Sequence, residues 1–250
     1  PMRRSSLHYI GEQADTTVRV SLCRPKIEAS LGYNWKGYSF RLSYSDEHYE
    51  PSLHSLLNIR STATPLYVNI GNPHLRGSHI QNINFSGHYS KGLTWHSLYG
   101  YWQNTRHGQA SASVYNRQTG VNTIKAVNVE GNMHFYSNLQ SQFYLGNRRE
   151  SEINNQLALN IQKSMSMQTA ESFDDLRLYQ VRNTRISENI TFRQHLLKNT
   201  LMLSGALHVN YNRAISPLES FEHISAWDYG FNAEVEVSLP KRFEIESSLM

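Results

Sequence analysis

The chain has 250 residues, of which 39% are hydrophobic and 18% charged, with a formal net charge of +4 at pH 7. No stretch approaches the roughly 18 consecutive apolar residues of a transmembrane helix, which excludes a helical membrane protein. The single cysteine, Cys23, excludes an internal disulfide, and the scattered Lys and Arg residues do not predict a nucleic-acid-binding surface.

Alternation of apolar and polar residues recurs along the whole chain. Side chains on a β-strand point to opposite faces with a period of two, so each alternating segment predicts a strand with one apolar side. The segments reach about ten residues or more, long enough for a tilted strand to cross a bilayer. The apolar sets include Ile27, Ala29, Leu31, Tyr33 and Trp35; Tyr38, Phe40, Leu42 and Tyr44; Ile83, Phe85, Gly87 and Tyr89; Leu93, Trp95, Ser97, Tyr99 and Tyr101; Val127, Val129, Gly131, Met133 and Phe135; Leu201, Leu203, Gly205, Leu207, Val209 and Tyr211; and Tyr229, Phe231, Ala233, Val235, Val237 and Leu239.

Short polar segments between the alternating runs predict hairpin turns. Glycine takes positive φ at no steric cost, so a Gly in such a segment is the strongest signal. The predicted tight turns are Trp35-Lys36-Gly37, Ser90-Lys91-Gly92, Ser137-Asn138, Lys163-Ser164, Leu197-Lys198-Asn199 and Pro240-Lys241. The predicted long connections are 46–77, 106–110, 147–151, 169–176 and 214–222.

Short turns therefore alternate with long loops, as they do in outer-membrane barrels, which have short periplasmic turns and longer outer loops. We predict an all-β fold: part of an antiparallel up-and-down transmembrane β-barrel, with residues 1–250 supplying about ten strands of a single barrel domain. Alternation alone leaves one alternative open, a soluble antiparallel sheet with one solvated face.

One stretch carries a more specific pattern than periodicity. It contains, in order, Tyr44-Ser45, Tyr49-Glu50-Pro51-Ser52-Leu53, Leu56-Leu57, Pro65-Leu66-Tyr67 and Gly71-Asn72-Pro73-His74-Leu75. This order and spacing resemble the barrel domain of TonB-dependent outer-membrane receptors, in the group called the outer membrane protein β-barrel family. The match covers residues 20–106, with Glu50 where Arg is common and Gly77 where a Pro-bearing variant is usual. Beyond residue 106 only the strand pattern agrees.

The resemblance implies a barrel of about twenty-two strands around an N-terminal plug, with a TonB box upstream. No plug and no TonB box is recognised in these residues, so we expect the chain to be an internal part of the wall. The resemblance also implies a place in the bacterial outer membrane. The expected partners are outer-membrane lipid, the TonB complex through the missing plug, and a nutrient.

Prolines interrupt the longest predicted loop, 46–77. Pro51, Pro65 and Pro73 remove amide donors, so we expect this segment to be an ordered loop rather than a strand. Its apolar residues are too many for a fully solvated excursion: Leu53, Leu56, Leu57, Ile59, Leu66 and Val68. We expect the loop to fold back on the barrel rim or into the lumen.

The twelve histidines do not specify a metal site. His88 and His96 are expected on the polar faces of two neighbouring strands, close to each other, while His74 and His79 flank the Gly71-Asn72-Pro73 segment. No third ligand is specified, so polar lumen-facing residues are the favoured interpretation.

Motifs for catalysis are not found either, so we predict no enzyme, no catalytic residues, no cofactor and no metal. Acidic residues alternate in the last predicted hairpin and are expected on its polar face: Glu234, Glu236, Glu244 and Glu246.

Transport is the favoured function: uptake of a nutrient such as a metal chelate or a glycan through a TonB-dependent receptor. Loop 46–77 and the lumen residues Arg41, His88 and His96 would meet that nutrient, although the sequence assigns none of them as a binding residue. The alternative is a surface-exposed binding or adhesive β-domain without transport. A signal peptide, a TonB box and a plug encoded upstream would favour transport.

Overall fold

The computed structural model describes residues 2–11, 14–23, 26–57, 60–64, 66–146, 150–167, 172–175, 177–197, 200–218, 222–239 and 243–249. Strands dominate this part of the chain. In chain order they are β1 Met2–Gly11, β2 Ala14–Cys23, β3 Ile27–Trp35, β4 Tyr38–Tyr49, β5 Arg60–Thr64, β6 Tyr67–Ile70, β7 Ser78–Lys91, β8 Thr94–Arg106, β9 Gly108–Tyr115, β10 Asn122–Val129, β11 Asn132–Leu145, β12 Ser151–Met167, β13 Leu178–Leu196, β14 Leu201–Ile215, β15 Ile224–Leu239 and β16 Phe243–Leu249. The helical elements are α1 Leu53–Leu56 and a 3-10 turn Phe173–Asp175.

Ten strands form one continuous sheet, which we call the wall. Its order is β16-β15-β14-β13-β12-β11-β8-β7-β4-β3, and every neighbouring pair is antiparallel. The predicted all-β, up-and-down arrangement is therefore confirmed. Within the described residues the sheet is open, with β3 and β16 at its two edges. The sequence predicts part of a barrel, and closure of that barrel is not shown.

One side of the wall, which we call the apolar face, continues from strand to strand. In the register, Leu31 of β3 lies opposite Leu42 of β4, and Leu42 lies opposite Phe85 of β7. At the other end, Leu207 of β14 lies opposite Phe231 of β15. The opposite side, the polar face, carries mostly hydroxyl and amide groups. Because register fixes which side each residue takes, the apolar set forms a single surface.

Several large side chains on the apolar face are exposed. Leu31, Phe231 and Tyr229 remain 64%, 63% and 77% exposed, although each would be a typical core residue in a soluble sheet. In the part of the chain that the structure describes, no helix is both long and apolar enough to cross a membrane.

Tight turns at one end of the wall follow the predicted positions in part. Lys36 and Gly37 have φ of 38° and 86°, which is the pair of positive values that a two-residue hairpin of the primed type requires. Gly92 has φ of 64° in the β7–β8 turn, and Leu197 with φ of 51° begins the connection to β14. The predicted Pro240-Lys241 turn lies outside the described residues.

Four predicted connections are wrong. Ser137-Asn138 lies inside β11 and Lys163-Ser164 lies inside β12, because each strand continues past the position of the predicted turn. The predicted loop 106–110 is reduced to His107 between β8 and β9, and 147–151 joins β11 to β12 at the end of the wall where the tight turns lie. With these corrections, short turns and long loops still alternate between the two ends.

Two long insertions at the loop end of the wall, residues 50–77 and 107–131, form a second unit that we call the cap. Its sheet has the order β5-β6-β10-β9, and the central pair of β6 and β10 is parallel. The expectation that 46–77 contains no strand is therefore wrong: residues 46–49 extend β4, and the segment contains β5 and β6. Pro51 and Pro73 lie outside these strands, where a missing amide donor costs no ladder bond. Val127 and Val129, predicted in one strand with Met133, belong to β10 of the cap.

The buried apolar core among the described residues lies in the cap and not in the wall. Its members are Leu56, Leu57, Val68, Leu75, Ala112 and Val129. Leu57 is 1% exposed and Ala112 is fully buried, so the two insertions are held together as a small folded unit by apolar burial. The predicted fold-back of the 46–77 segment thus takes the form of a cap.

Candidate functional site

Gly71 and Asn72 join the two halves of the cap. A Cβ on Gly71 would lie 1.6 Å from the carbonyl oxygen of Leu57, so only glycine permits this approach of two backbones. Asn72 is buried, and its amide Nδ2 donates to the Ala126 carbonyl in β10 at 2.8 Å. Its Oδ1 accepts from the backbone N–H of His74 at 3.1 Å. The Gly71-Asn72 segment therefore anchors one insertion to the other.

A second amide clamp lies beside the first. Asn128 of β10 accepts a hydrogen bond from the backbone N–H of Arg76 at 2.7 Å and donates to the Arg76 carbonyl at 3.0 Å. The same Nδ2 donates to the carbonyl of His107 at 2.9 Å. Asn128 therefore links the end of the first insertion to the start of the second.

Three histidines lie in a row where the wall meets the cap. His48 of β4 is opposite His79 of β7, with ring centroids 4.0 Å apart, and the His107 ring is 6.2 Å from His79. Carboxylates accompany them: His48 Nε2 lies 2.6 Å from Glu50 Oε1, and His107 Nδ1 contacts Glu130. These residues flank the points at which the chain leaves the wall and returns to it.

The geometry of this histidine row suits hydrogen bonding at the junction. A Cβ on Gly77 would lie 2.7 Å from His48 Nε2, so the absence of a side chain at Gly77 makes room for the His48–Glu50 pair. Among the described residues, no group of three or more His, Cys, Asp or Glu side chains is arranged to hold a metal ion.

Aromatic side chains cluster on the polar face of β8 and β11. Tyr101 lies directly opposite Tyr136, with ring centroids 5.7 Å apart, and its hydroxyl is 3.0 Å from Nδ1 of His134. Tyr99 extends the group, with its ring 6.4 Å from that of Tyr136. Aromatic rings with polar ends can stack on a ligand and also hydrogen-bond to it.

Amide side chains surround this aromatic cluster. Trp95 Nε1 donates to Gln142, and Asn138 Nδ2 donates to the Tyr136 hydroxyl at 3.1 Å. On the described polar-face positions of β7, β8, β11 and β12, Glu152 is the only Asp, Glu, Lys or Arg, and it lies 3.6 Å from Arg193. We call this area of four strands, in which Glu152 is the single charged residue, the amide–aromatic field. A depression of about 180 Å³ at its border with β13 is lined by Trp95, Gln140, Asn154, Gln156, Asn189 and Thr191 among others.

The predicted lumen residues do not all lie on the same face of the wall. Arg41 and His88 both lie on the polar face, on β4 and β7 respectively. His96 does not: it lies opposite Tyr89 on the apolar face, whereas His88 lies opposite Ser97. The predicted approach of His88 to His96 is therefore wrong. The ring of His88 instead stacks with that of Trp95, at a centroid distance of 6.3 Å.

A register shift of one residue explains this correction. The β7–β8 turn consists of Gly92 and Leu93, with Lys91 opposite Thr94, while the predicted turn was Ser90-Lys91-Gly92. A one-residue slip moves every side chain of a strand to the other face. Trp95, Tyr99 and Tyr101 were consequently predicted on the apolar side, and sequence reasoning missed the amide–aromatic field. The alternation of His96, Leu98, Gly100 and Trp102 is the sequence signal that could have placed the even-numbered positions of β8 on the apolar face.

Charged residues lie at the loop end of the first wall strands. Lys26 Nζ is 2.5 Å from Glu28 Oε1 and 3.3 Å from Glu47 Oε1. The pKa of Lys26 is raised because hydrogen bonds to Glu28 and then to Glu47 favour the charged ammonium group. Glu234 and Glu236 take the polar face of β15 as predicted, and their register partners on β14 are Ser204 and Met202. The side chains of Glu244 and Glu246 lie outside the described part.

Neither the models of known protein families nor the curated proteins match this chain.

Proposed function

We propose that this chain forms part of the outer-membrane wall of a TonB-dependent receptor that imports a nutrient. The observation that carries the proposal is the exposed apolar face of the wall, whose exposed large side chains extend from Leu31 of β3 to Phe231 of β15. Burying apolar surface contributes about 25 cal/mol per Å², so a face of this size left in water would be strongly unfavourable. A lipid bilayer removes that cost, and hydrogen bonds between neighbouring strands satisfy the backbone groups inside the wall.

Aromatic residues on the apolar face support a membrane position. Trp35, Tyr38 and Tyr89 stack at the tight-turn end, with Tyr38 and Tyr89 ring centroids 4.4 Å apart. The rings of Tyr211 and Trp227 lie toward the loop end, with centroids 4.6 Å apart and planes inclined at 37°. Tyr and Trp are enriched at both interfaces of a bilayer, because their rings are apolar and their N–H or O–H groups are polar.

The polar face and the cap support transport of a neutral nutrient. In a barrel, the polar side of the wall lines the lumen, and long outer loops capture the ligand. The amide–aromatic field offers hydrogen-bond donors, acceptors and ring faces but almost no countercharge. An ionised ligand would lose hydration there without compensation. A glycan therefore fits this field better than a charged metal chelate.

Uptake by cells that express the full reading frame tests this proposal. We expect a labelled neutral oligosaccharide to accumulate, and a protonophore or loss of TonB to abolish its accumulation. The protein should fractionate with the outer membrane and resist extraction by buffer alone. Recovery of the protein in the soluble fraction would contradict the membrane assignment.

Binding at the cell surface without accumulation would instead support the adhesive alternative. The Asn210→Ala substitution lies on the polar face but outside the amide–aromatic field. Cells with this variant should take up the oligosaccharide as the wild type does. A charged ferric chelate serves as the second probe, and uptake of that chelate alone would overturn the preference for a neutral nutrient.

A further inference from the structure

Three basic residues lie together on the apolar face of the wall, close to its loop end. Lys163 of β12 is directly opposite Arg182 of β13. On the next strand, Arg213 is opposite Thr184, two residues along from Arg182 and on the same face. We call Lys163, Arg182 and Arg213 the basic cluster. It places three positive charges on a surface that is otherwise mainly apolar.

The basic cluster has no carboxylate partner among the described residues. The cations Lys26 and Arg193 lie within 4 Å of a Glu oxygen, but none of these three side chains does. Like charges directly opposite each other across two strands are destabilising. The fold therefore carries a local repulsion that a bound anion would relieve.

A cavity of about 370 Å³ adjoins the basic cluster. Its lining residues are Gln180, Arg182, Arg213, Ile215, Ser216, Pro217 and His223. Two guanidinium groups, an amide and an imidazole therefore border a space that also has apolar walls. Guanidinium groups form bidentate hydrogen bonds with phosphate oxygens, and the cavity has room for such a group.

Apolar side chains continue from the cluster toward the middle of the wall. On β13 the same face carries Thr184, Ile186, Glu188 and Ile190 after Arg182, and Ile186 and Ile190 are 40% and 36% exposed. Tyr211, whose ring lies 4.6 Å from that of Trp227, is two residues from Arg213 on β14. Such an aromatic pair is typical of the interface between acyl chains and headgroups.

We propose that the basic cluster and its cavity bind the phosphate of a lipid headgroup, with the lipid's acyl chains on the apolar face below. The proposal rests on the proposed function, because it requires this face to meet lipid. In this proposal Arg182 and Arg213 bind the phosphate directly. Lys163, on the neighbouring strand, attracts the same negative charge.

Native mass spectrometry of the full protein released from detergent micelles tests this assignment. The probes are phosphatidic acid and diacylglycerol with the same acyl chains, which differ only in the phosphate. We expect phosphatidic acid to be retained about tenfold more strongly than diacylglycerol. The double variant Arg182→Gln with Arg213→Gln should lose about tenfold in phosphatidic acid binding, while the matched control Arg185→Gln, on the polar face of the same strand, should not.

The outcomes separate this inference from the proposed function. Equal retention of the two lipids, or an unchanged double variant, would overturn the headgroup site even if the protein inserts into membranes. Competition by inorganic phosphate as strong as that by phosphatidic acid would show a site for free phosphate and overturn the lipid assignment. Failure of the wild type to insert into vesicles would contradict the proposed function itself.

Discussion

Adjacent residues of one strand meet different environments in this protein. Leu203 and Val235 are opposite each other on the apolar face, while their sequence neighbours Ser204 and Glu234 form a hydrogen bond of 3.2 Å on the polar face. The two faces thus differ in chemistry over a distance of one residue. This contrast permits a direct test with substitutions at neighbouring positions.

Arginine at Leu203 should block insertion, whereas arginine at Ser204 should be tolerated. A charged side chain on the lipid face of a barrel strand costs about 2–4 kcal/mol near mid-bilayer, while a hydrated polar face accepts it. Folding of the full protein into lipid vesicles, followed by the shift in gel mobility, measures the effect. Equal tolerance of Leu203→Arg and Ser204→Arg would contradict the membrane assignment.

Alanine at Gly71 should destabilise the cap. Its Cβ would overlap the Leu57 carbonyl oxygen, so the backbone must move, at an expected cost of about 1–3 kcal/mol. Hydrogen exchange of the β6 and β10 amides would report faster opening. Gly87→Ala is the matched control, since a Cβ there meets nothing within 4 Å. Unchanged exchange in Gly71→Ala would refute the close contact.

At the scale of the element, the cap behaves as a small folded unit made from two loops. Strands β6 and β10 come from different insertions, and their parallel pairing requires both insertions to be present. The buried core and the clamps of Asn72 and Asn128 hold this arrangement. The cap therefore adds a folded unit with its own buried core to the loop end of the wall.

Replacing Asn72 by alanine should loosen the two insertions from each other. The substitution leaves the Ala126 carbonyl without its amide donor in a buried site, which costs about 1–3 kcal/mol. Limited proteolysis should then cut the cap earlier than the wall. Asn69→Ala, at an exposed position of β6, is the control and should keep wild-type resistance. Equal cleavage of the two variants would show that the clamp does not contribute.

Turn positions show how far the sequence determines the elements. The Lys36-Gly37 turn was predicted correctly, because consecutive positive φ values select such a pair. Ser137-Asn138 carries the same kind of polar signal but lies inside β11, where both neighbouring strands pair on either side of these two residues. Polar residues are compatible with the polar face of a strand, so they mark a turn only when no partner strand continues past them.

At the scale of the whole molecule, the wall is open at both edges. Strands β3 and β16 each have a wall partner on one side, so their outer amides and carbonyls have no strand partner among the described residues. Exposed edges promote pairing with another chain, and in lipid they are especially unfavourable. The open wall is consistent with the proposal that further strands complete the barrel.

Residues 1–250 alone should therefore not form a selective pore. We expect the isolated segment to associate edge to edge or to aggregate, because this satisfies the backbone groups of β3 and β16. Light scattering after size-exclusion chromatography would give the association state, and liposome swelling would give permeability. A monodisperse monomer with selective conductance would contradict the view that the wall is part of a larger barrel.

The sequence by itself determined that the chain is built of long antiparallel strands with one apolar face, since a period of two appears directly in the order of residues. Tertiary structure decided the pairing of the two insertions into a cap, because β6 and β10 are separated by more than fifty residues and their parallel contact leaves no local pattern. It also decided on which face of the wall Trp95, Tyr99 and Tyr101 lie, and that the three residues of the basic cluster lie together on one face. Register between strands is set by the full ladder of hydrogen bonds and by the length of each turn, and one residue more or less in a turn exchanges the two faces.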